Sequence, residues 1–252
     1  MTRKRRAEQP IGVGLTTRQI KRKKPINLDY LLDIEPLTDN QKRLFESYAE
    51  GKHLIAYGPA GTGKTYTLLY NALREVLDEK SPYEKIYVVR SILPVREMGF
   101  LPGLAEQKME VYEIPYKNMV KYMFQMPDDA SFEMLYGNLK SQETIKFWST
   151  SFLRGVTLND CIIIVDEFAN LNGHELDSII TRVGENTRIM FSGDATQSDL
   201  IKTNDRNGIV DFMKIIRTMN SFDIIEFGID DICRSGLVKE YIIAKIQSGI
   251  DL

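Results

Sequence analysis

Short apolar runs alternate with longer amphipathic stretches along the chain from about residue 39 onward. The short runs are rich in Ile, Val, Tyr and Phe, as is typical of strands that are buried on both faces. We predict strands at residues 53–57, 85–89, 161–165, 188–191 and 223–227. Strands that alternate with helices form parallel sheets covered by helices, so the pattern predicts an α/β fold.

Helical periodicity fills most of the intervals between these strands. Apolar residues at helical spacing predict a crossover helix at 64–79 and later helices at about 173–183, 209–219 and 237–247. The interval at about 101–158 is too long for a simple crossover and has a helical pattern of its own. We therefore predict a helical insertion at the rim of the sheet, between the second strand and the third.

Two interpretations fit one helix within this insertion. Pro115 is suited to the first turn of a helix. After it, one side of the predicted helix carries the apolar residues Tyr116, Met119, Val120 and Met123, and an adjacent side carries Lys117 and Lys121. The lysines and aromatic residues are compatible with a nucleic-acid surface. An apolar stripe at helical spacing is more often part of a core, and we favour that interpretation.

Composition excludes several classes of protein. The 252 residues are 43% hydrophobic and 27% charged, which is ordinary for a globular protein and argues against a wholly disordered or fibrous chain. The apolar run at 161–165 is far shorter than the roughly 20 residues of a membrane span, and the basic start lacks the apolar segment of a secretory signal. Cys161 and Cys233 fit neither a disulfide framework nor a zinc site. We expect reduced thiols and a cytoplasmic protein.

Positive charge is concentrated at the N-terminus. Residues 1–24 carry nine basic side chains and one acidic side chain, although the whole chain has a net charge of −2. Such a segment buries too little apolar surface to fold alone. We predict a basic disordered arm at 1–24 and a single domain at 25–252. The arm either contacts the phosphates of a nucleic acid or an acidic surface, or is a solvated tail.

A phosphate-binding loop lies between the first predicted strand and the helix after it. The motif G-x-x-x-x-G-K-[ST] is matched by Gly58, Pro59, Ala60, Gly61, Thr62, Gly63, Lys64 and Thr65, and we include the following Tyr66 among the predicted nucleotide-binding residues. Glycines let backbone N–H groups face a polyphosphate. Lys64 is expected to reach the β- and γ-phosphates, and Thr65 to bind Mg²⁺. The alternative is a glycine turn that caps a structural helix.

An acidic pair follows the third predicted strand. Asp166 and Glu167 come directly after a buried apolar run, near the sheet edge where α/β proteins bind ligands. We expect Asp166 to contribute to the magnesium site and Glu167 to orient or deprotonate an attacking water. The alternative role of this pair is to cap the next helix.

The segment after the fourth predicted strand has the features of a γ-phosphate sensor. Gly193 permits a tight exit from the strand, and the amide of Gln197 can donate to a phosphate oxygen while accepting from water. Taken alone, the segment is also compatible with an ordinary turn before a helix.

Together these motifs resemble the PhoH family of P-loop ATPases, whose core is similar to the first RecA-like domain of superfamily 1 helicases. The resemblance covers about residues 41–247. The matching motifs lie at 58–65, 99–103, 154–160, 166–167, 180–184, 193–200 and 231–234. It implies a P-loop NTPase fold with a RecA-like parallel sheet, ATP with Mg²⁺ as the ligands, and a homo-oligomer, with a hexameric ring favoured.

The resemblance also implies roles for two further residues. Gln41 corresponds to the residue that recognises the adenine edge, and Arg234 to a late arginine that neutralises charge on the γ-phosphate. Judged from the residues alone, Gln41 is a polar residue on an amphipathic helix, and Arg234 is equally suited to a surface ion pair with Asp230 or Asp231. The arginine that completes the site comes either from the same chain or from a neighbour.

The sequence departs from the family after the acidic pair. It reads Phe168-Ala169-Asn170 where the family usually has Ala-Gln before the Asn, so the side chain that links hydrolysis to a bound strand is missing or displaced. Our leading hypothesis is a magnesium-dependent ATPase that binds single-stranded nucleic acid, RNA favoured, and translocates along it or remodels it. The alternatives are a nucleotide-gated oligomeric scaffold with little hydrolysis and, less favoured, a P-loop kinase of small molecules.

Overall fold

A six-stranded parallel sheet forms the centre of the computed structural model, which describes residues 26, 28–90, 105–153, 155–194 and 208–248, with the backbone alone at 105–110 and 151. Its strands are β1 His53–Tyr57, β2 Lys85–Arg90, β3 Ile145–Ser149, β4 Cys161–Asp166, β5 Thr187–Gly193 and β6 Phe222–Glu226. Their order is β3-β2-β4-β5-β1-β6, and every neighbouring pair is parallel. The predicted parallel sheet flanked by helices is therefore confirmed.

Helices connect the strands and cover both faces of the sheet. They are α1 Asp39–Ala49, α2 Lys64–Leu77, α3 Ala105–Met123, α4 Asp129–Ser141, α5 Gly173–Ile180, α6 Ile209–Ile216 and α7 Gly236–Gln247. The four helices predicted outside the insertion are present, three of them ending two or three residues earlier than predicted. Within the described residues, none of the helices has the length and apolar character needed to cross a membrane.

Two apolar clusters hold the layers together. On one face of the sheet, buried residues of α1, α2, α3 and α4 pack on the strands, and on the other face α5 and α6 do so. All six residues of β4 are buried, because this strand lies near the middle of the sheet and is covered on both sides. The uninterrupted apolar run that predicted the strand has this physical origin.

The insertion differs from the prediction in two respects. First, it contributes β3 to one edge of the sheet, in addition to helices α3 and α4. Second, Pro115 lies inside α3, and the prediction that it occupies the first turn is wrong. A proline inside a helix deprives the carbonyl four residues earlier of its donor. Here that residue is Val111, which is 51% exposed, so water can supply the missing hydrogen bond.

The apolar stripe of α3 belongs to the core, as we favoured. Tyr116, Val120 and Met123 are buried against the sheet, and Met119 is partly buried beside them. The two lysines on the adjacent side form ion pairs with α4, Lys117 with Glu133 and Lys121 with Asp129.

The packing of β4 predicts a large difference between two isoleucines. Ile163 is fully buried in β4, whereas Ile215 in α6 is 57% exposed. We expect Ile163→Ala to lower the free energy of unfolding by about 3 kcal/mol, because it removes buried methylenes and leaves a cavity. Ile215→Ala, the matched control, should change it by less than about 1 kcal/mol. Chemical denaturation of both variants measures this, and equal losses would contradict the assignment of β4 to the core.

Candidate functional site

The carboxyl ends of the central strands bring polar side chains together. In the parallel register, Asp166 of β4 lies beside Arg90 of β2 on one side and Ser192 of β5 on the other. On β1, Tyr57 pairs with Gly193 of β5, and the phosphate-binding loop begins at the next residue, Gly58. The loop and the acidic pair, which the sequence placed at one edge, are neighbours in the structure.

The backbone of the loop has positive φ angles that favour glycine, most clearly at Gly58 and Gly61. Gly58 has a φ of +140°, and a Cβ there would lie 2.3 Å from the carbonyl oxygen of Phe227. Gly61 has a φ of +80°, and its Cβ would lie 2.8 Å from Cγ of Arg234. Helix α2 starts at Lys64, directly after the loop, and no side chain among the described residues caps its first turn. Its N–H groups are therefore suited to bind an anion.

Lys64 supplies a buried positive charge to the loop. Its Nζ donates to the carbonyl oxygens of Gly58 at 3.0 Å and Pro59 at 2.7 Å, and to Thr62 Oγ1 at 3.1 Å. It also forms an ion pair of 2.9 Å with the half-exposed Asp194. Burial lowers the pKa of Lys64, and the charge of Asp194 opposes this effect. A phosphate is a stronger partner for this ammonium than neutral carbonyls are.

Thr65 and Asp166 form a cluster of oxygen atoms suited to Mg²⁺. Thr65 Oγ1 donates to Asp166 Oδ1 at 2.9 Å and lies 2.7 Å from Ser192 Oγ. Within the described residues, His, Cys, Asp and Glu form no cluster of three that could hold a metal ion. One carboxylate beside two hydroxyls fits Mg²⁺, which needs only one or two protein ligands when phosphates and water supply the rest.

Asp166 is buried, and a tyrosine of the insertion holds its second oxygen. The hydroxyl of Tyr116 donates to Asp166 Oδ2. Burial raises the pKa of Asp166, and the hydrogen bonds from Tyr116 and Thr65 oppose this increase. Burial also raises the pKa of Tyr116, which keeps its hydroxyl a donor. Tyr116 thus belongs both to the core and to the site.

Glu167 is turned towards β2 in this structure. Nε of Arg90 donates to Glu167 Oε2 at 3.1 Å, and Nη2 of the same guanidinium donates to Oε1. Asn170 Nδ2 adds a further bond to Oε2 at 3.2 Å. The backbone of Glu167 is left-handed, with a φ of 52°, a conformation that is uncommon for residues other than glycine.

A cavity of about 590 Å³ opens over the loop and is large enough for a nucleotide. Its polar lining includes Lys64, Thr65, Asp194 and Arg234. The apolar and aromatic lining includes Ile34, Leu37, Phe45, Tyr66, Tyr70, Met119 and Tyr122. The cavity therefore combines cationic side chains with apolar and aromatic ones in its lining, as a nucleoside polyphosphate requires.

Gln41 lines this cavity, and protein groups bind both ends of its amide. Its Nε2 donates to the carbonyl oxygen of Thr62 at 2.9 Å and contacts Cys233 Sγ at 3.3 Å, while Oε1 accepts from Leu37 N at 2.8 Å. Gln41 thereby joins the loop to the segment before α1. Its predicted contact with adenine stays a prediction.

Arg234 lies over the phosphate-binding loop of its own chain. It packs against Gly61 and lines the same cavity as Lys64. Among the described residues, Arg234 forms no ion pair with Asp230 or Asp231. Asp231 instead accepts from Asn40 Nδ2 at 2.7 Å and from Gly228 N at 2.7 Å. The alternative of an ion pair with these residues is therefore not found, and the charge of Arg234 is available at the cavity.

The structure brings most of the predicted site residues together. The loop residues Gly61, Gly63, Lys64, Thr65 and Tyr66 line the cavity together with Gln41 and Arg234, while Gly58, Pro59, Ala60 and Thr62 complete the loop. Asp166 joins the cluster through Thr65, whereas Glu167 is held on the side of β2. Gln197 lies outside the described residues.

Four residues that contact the predicted site residues had no role assigned to them from the sequence: Arg90, Asp194, Tyr116 and Ser192. Arg90 follows the apolar part of β2, so the rule that polar residues at strand ends meet at one edge could have indicated it. Asp194 stood within a motif that we quoted, but without a role of its own. Nothing in the sequence indicated that Tyr116 contacts Asp166, because its position in the apolar stripe of the helix is fully accounted for by core packing.

Comparisons with known proteins agree with this geometry. The profile of a family described as PhoH-like protein matches residues 33–246. A PhoH-like protein of Mycobacterium leprae is 30% identical over 222 residues, which cover 86% of this chain and 61% of that protein. Protein PhoH of Escherichia coli K12 is 31% identical over 193 residues, which cover 75% of this chain and 52% of that protein. The chain therefore spans only about half to three fifths of the length of these relatives.

One solved structure shows the same fold. The large terminase of a thermophilic bacteriophage, in complex with ADP, superposes with a TM-score of 0.50 at 11% identity, covering 84% of this chain and 50% of that protein. At this level of identity the likeness concerns the fold alone. It agrees with an α/β fold built on a parallel sheet.

The burial of Asp166 predicts a variant that is more stable than the wild type. We expect Asp166→Asn to raise the free energy of unfolding at pH 7, because the neutral amide avoids the cost of a buried carboxylate. The raised pKa means that this cost is present at high pH and disappears as the pH falls towards the ordinary pKa of Asp, about 3.9. The gain in stability of Asp166→Asn over the wild type should therefore shrink as the pH falls.

Denaturant titrations between neutral and acidic pH measure this effect. Asp177→Asn is the control, because Asp177 is exposed on α5; it should change stability by less than about 0.5 kcal/mol. A loss of stability in Asp166→Asn at pH 7 would show that the hydrogen bonds to the carboxylate outweigh its burial.

Proposed function

This chain belongs to the PhoH family, and we propose on that basis that it hydrolyses ATP with Mg²⁺ and couples hydrolysis to the binding and remodelling of single-stranded nucleic acid, RNA in particular. One observation carries the proposal. The buried ammonium of Lys64 and the oxygen cluster of Thr65 and Asp166 adjoin one cavity of nucleotide size. This combination suits the polyphosphate of a nucleotide better than a neutral ligand.

The proposed reaction is the attack of water on the γ-phosphate. Thr65 and Asp166 would hold Mg²⁺, which, when bound, neutralises charge on the phosphates. Lys64 exchanges its bonds to loop carbonyls for bonds to the β- and γ-phosphates. Glu167 orients the attacking water and accepts its proton, and Arg234 stabilises the charge that develops on the transferred group. Gln197 is proposed as the sensor of the γ-phosphate.

The apolar and aromatic lining of the cavity supports a nucleoside rather than free polyphosphate. Aromatic surfaces on which a base can stack come from Tyr66, Phe45 and Tyr122, whereas the ring of Tyr70 is buried. Gln41 lines the cavity beside the loop, and its proposed recognition of adenine requires the amide to exchange its present bonds to Thr62 and Leu37 for bonds to the base. The preference for ATP over GTP rests on this residue.

Helix α7 supports the proposed assembly into a homo-oligomer, with a hexameric ring favoured. It exposes three adjacent apolar side chains, Leu237, Val238 and Tyr241, and it begins directly after the segment that carries Arg234. A neighbouring copy that covered this helix would bury them next to the nucleotide cavity.

The cytoplasmic location, expected from the two free cysteines, is part of the same proposal.

A second candidate is a nucleotide-gated oligomeric scaffold with little hydrolysis. The observation that favours it is the ion pair of Arg90 with Glu167, because a carboxylate held on the side of β2 does not face the cavity that contains Lys64 and Thr65. Phosphate release measured alongside sedimentation, with and without ATP, separates the two. Assembly on ATP without phosphate release would support the scaffold.

Replacing the proposed base should separate binding from turnover. We expect Glu167→Gln to lower kcat by about 10²- to 10⁴-fold, because the amide cannot accept a proton from water. ATP affinity, measured by calorimetry with Mg²⁺, should stay within about threefold, because Glu167 is outside the residues that line the cavity.

Glu185→Gln is the matched control for this experiment. Glu185 is an exposed residue before β5, at the amino end of the sheet, so its substitution should leave both kcat and affinity unchanged. Undiminished hydrolysis in Glu167→Gln would remove this residue from the role of base.

The proposed partner predicts activation by RNA. Single-stranded RNA should raise the ATPase rate, and the activation should weaken between about 50 and 200 mM salt, because phosphate contacts release counterions. Steady-state phosphate release with RNA and with DNA of the same sequence measures the effect and the preference. No response to either strand at low salt would contradict the nucleic-acid part of the proposal.

A further inference from the structure

The position of Glu167 is at odds with its proposed task. To orient water at the γ-phosphate, its carboxylate must face the same cavity as Lys64 and Thr65. Among the described residues that line this cavity, Glu167 is absent. Its two oxygens are bound by the guanidinium of Arg90, with a third bond from Asn170. The side chain must therefore leave Arg90 before it can act as a base.

We propose that Arg90 is a positioning residue: it holds Glu167 away from the nucleotide phosphates until a phosphate of a nucleic-acid strand binds the guanidinium instead. The inference rests on the proposed function and names the contact through which a strand controls hydrolysis. A guanidinium binds carboxylate and phosphate with the same two-pronged geometry, so one can replace the other. The exchange forms and breaks hydrogen bonds only.

The surroundings of Arg90 suit a strand better than a small anion. Arg90 is accessible at the carboxyl end of β2, its side chain being 26% exposed. Its Cζ lies 5.9 Å from the centre of the Tyr112 ring on α3. In the neighbouring strand β3, Ser149 pairs with Arg90, and the short helix Thr150–Leu153 that follows carries the exposed Phe152. Cationic and aromatic groups at one edge are typical of surfaces that bind single strands.

This contact would also replace a feature that the sequence lacks. The residues after Glu167 are Phe168 and Ala169, and Phe168 is fully buried, so neither offers a polar side chain to a strand. Among the described residues, Asn170 and Arg90 are the polar groups that bind the Glu167 carboxylate. Of the two, Arg90 has the charge needed to respond to a phosphate.

The test measures kcat and KM for ATP with and without single-stranded RNA. In Arg90→Ala the basal kcat should rise roughly two- to fivefold, because the loss of a partly exposed ion pair frees the Glu167 side chain to turn towards the γ-phosphate. KM for ATP should stay within about twofold. Activation by RNA, the ratio of the two rates, should fall towards one. Arg90→Lys keeps the charge but loses the two-pronged geometry of the guanidinium. Its basal kcat and its activation by RNA should lie between those of the wild type and of Arg90→Ala.

Lys85→Ala is the matched control, because it removes another ion pair of β2, with Glu143, at the opposite end of the strand. It should change neither the basal rate nor the activation. Denaturation curves confirm that each variant is folded, and Arg90→Lys carries the test if Arg90→Ala does not fold. In the double variant Arg90→Ala/Glu167→Gln, the gain in basal rate should vanish, because the gain acts through Glu167.

Inorganic phosphate at matched ionic strength distinguishes a strand from a free anion, and it should leave the rate unchanged. Equal activation by phosphate and RNA would overturn the assignment to a strand. A basal kcat that falls or stays constant in Arg90→Ala, or unchanged activation by RNA, would overturn the inference while ATP hydrolysis stands. If the wild type hydrolyses no ATP, or if Glu167→Gln keeps full activity, the proposed function itself fails.

Discussion

The site depends on the parallel register of β2, β4 and β5. This register sets Arg90, Asp166 and Ser192 side by side at the carboxyl edge. Successive side chains of a strand face opposite sides of the sheet, and a shift of β4 by one residue would turn Asp166 away from Thr65. The alternation of Ile164 and Val165 between the two apolar clusters fixes that register. Core packing thus determines where the charged groups lie.

The part of the site that could be predicted is the part encoded within short segments. The phosphate-binding loop and the acidic pair each follow an apolar strand directly, so local pattern and strand polarity were sufficient to place them at one edge. The partners of these residues come from distant segments. Tyr116 lies 50 residues from Asp166 in sequence, and Arg90 lies 77 residues from Glu167. No local pattern encodes such distances.

Strand β3 shows why the insertion was only partly predicted. It lies at the sheet edge and is just five residues long, and its three central residues, Lys146, Phe147 and Trp148, are only partly buried. A strand of this kind lacks the continuous apolar run that marks β4. The insertion is nevertheless integral to the site: α3 packs on the sheet through Val120, binds Asp166 through Tyr116, and lines the cavity through Met119 and Tyr122.

The two cysteines have opposite chemical environments. Cys161 is buried in β4, where burial raises the pKa of its thiol to about 11 and makes it unreactive. Cys233 is exposed and lines the nucleotide cavity, within contact distance of Gln41. The unaltered chain therefore presents one exposed cysteine in the lining of this cavity. A maleimide fluorophore attached there would report nucleotide entry by its emission without any engineered residue.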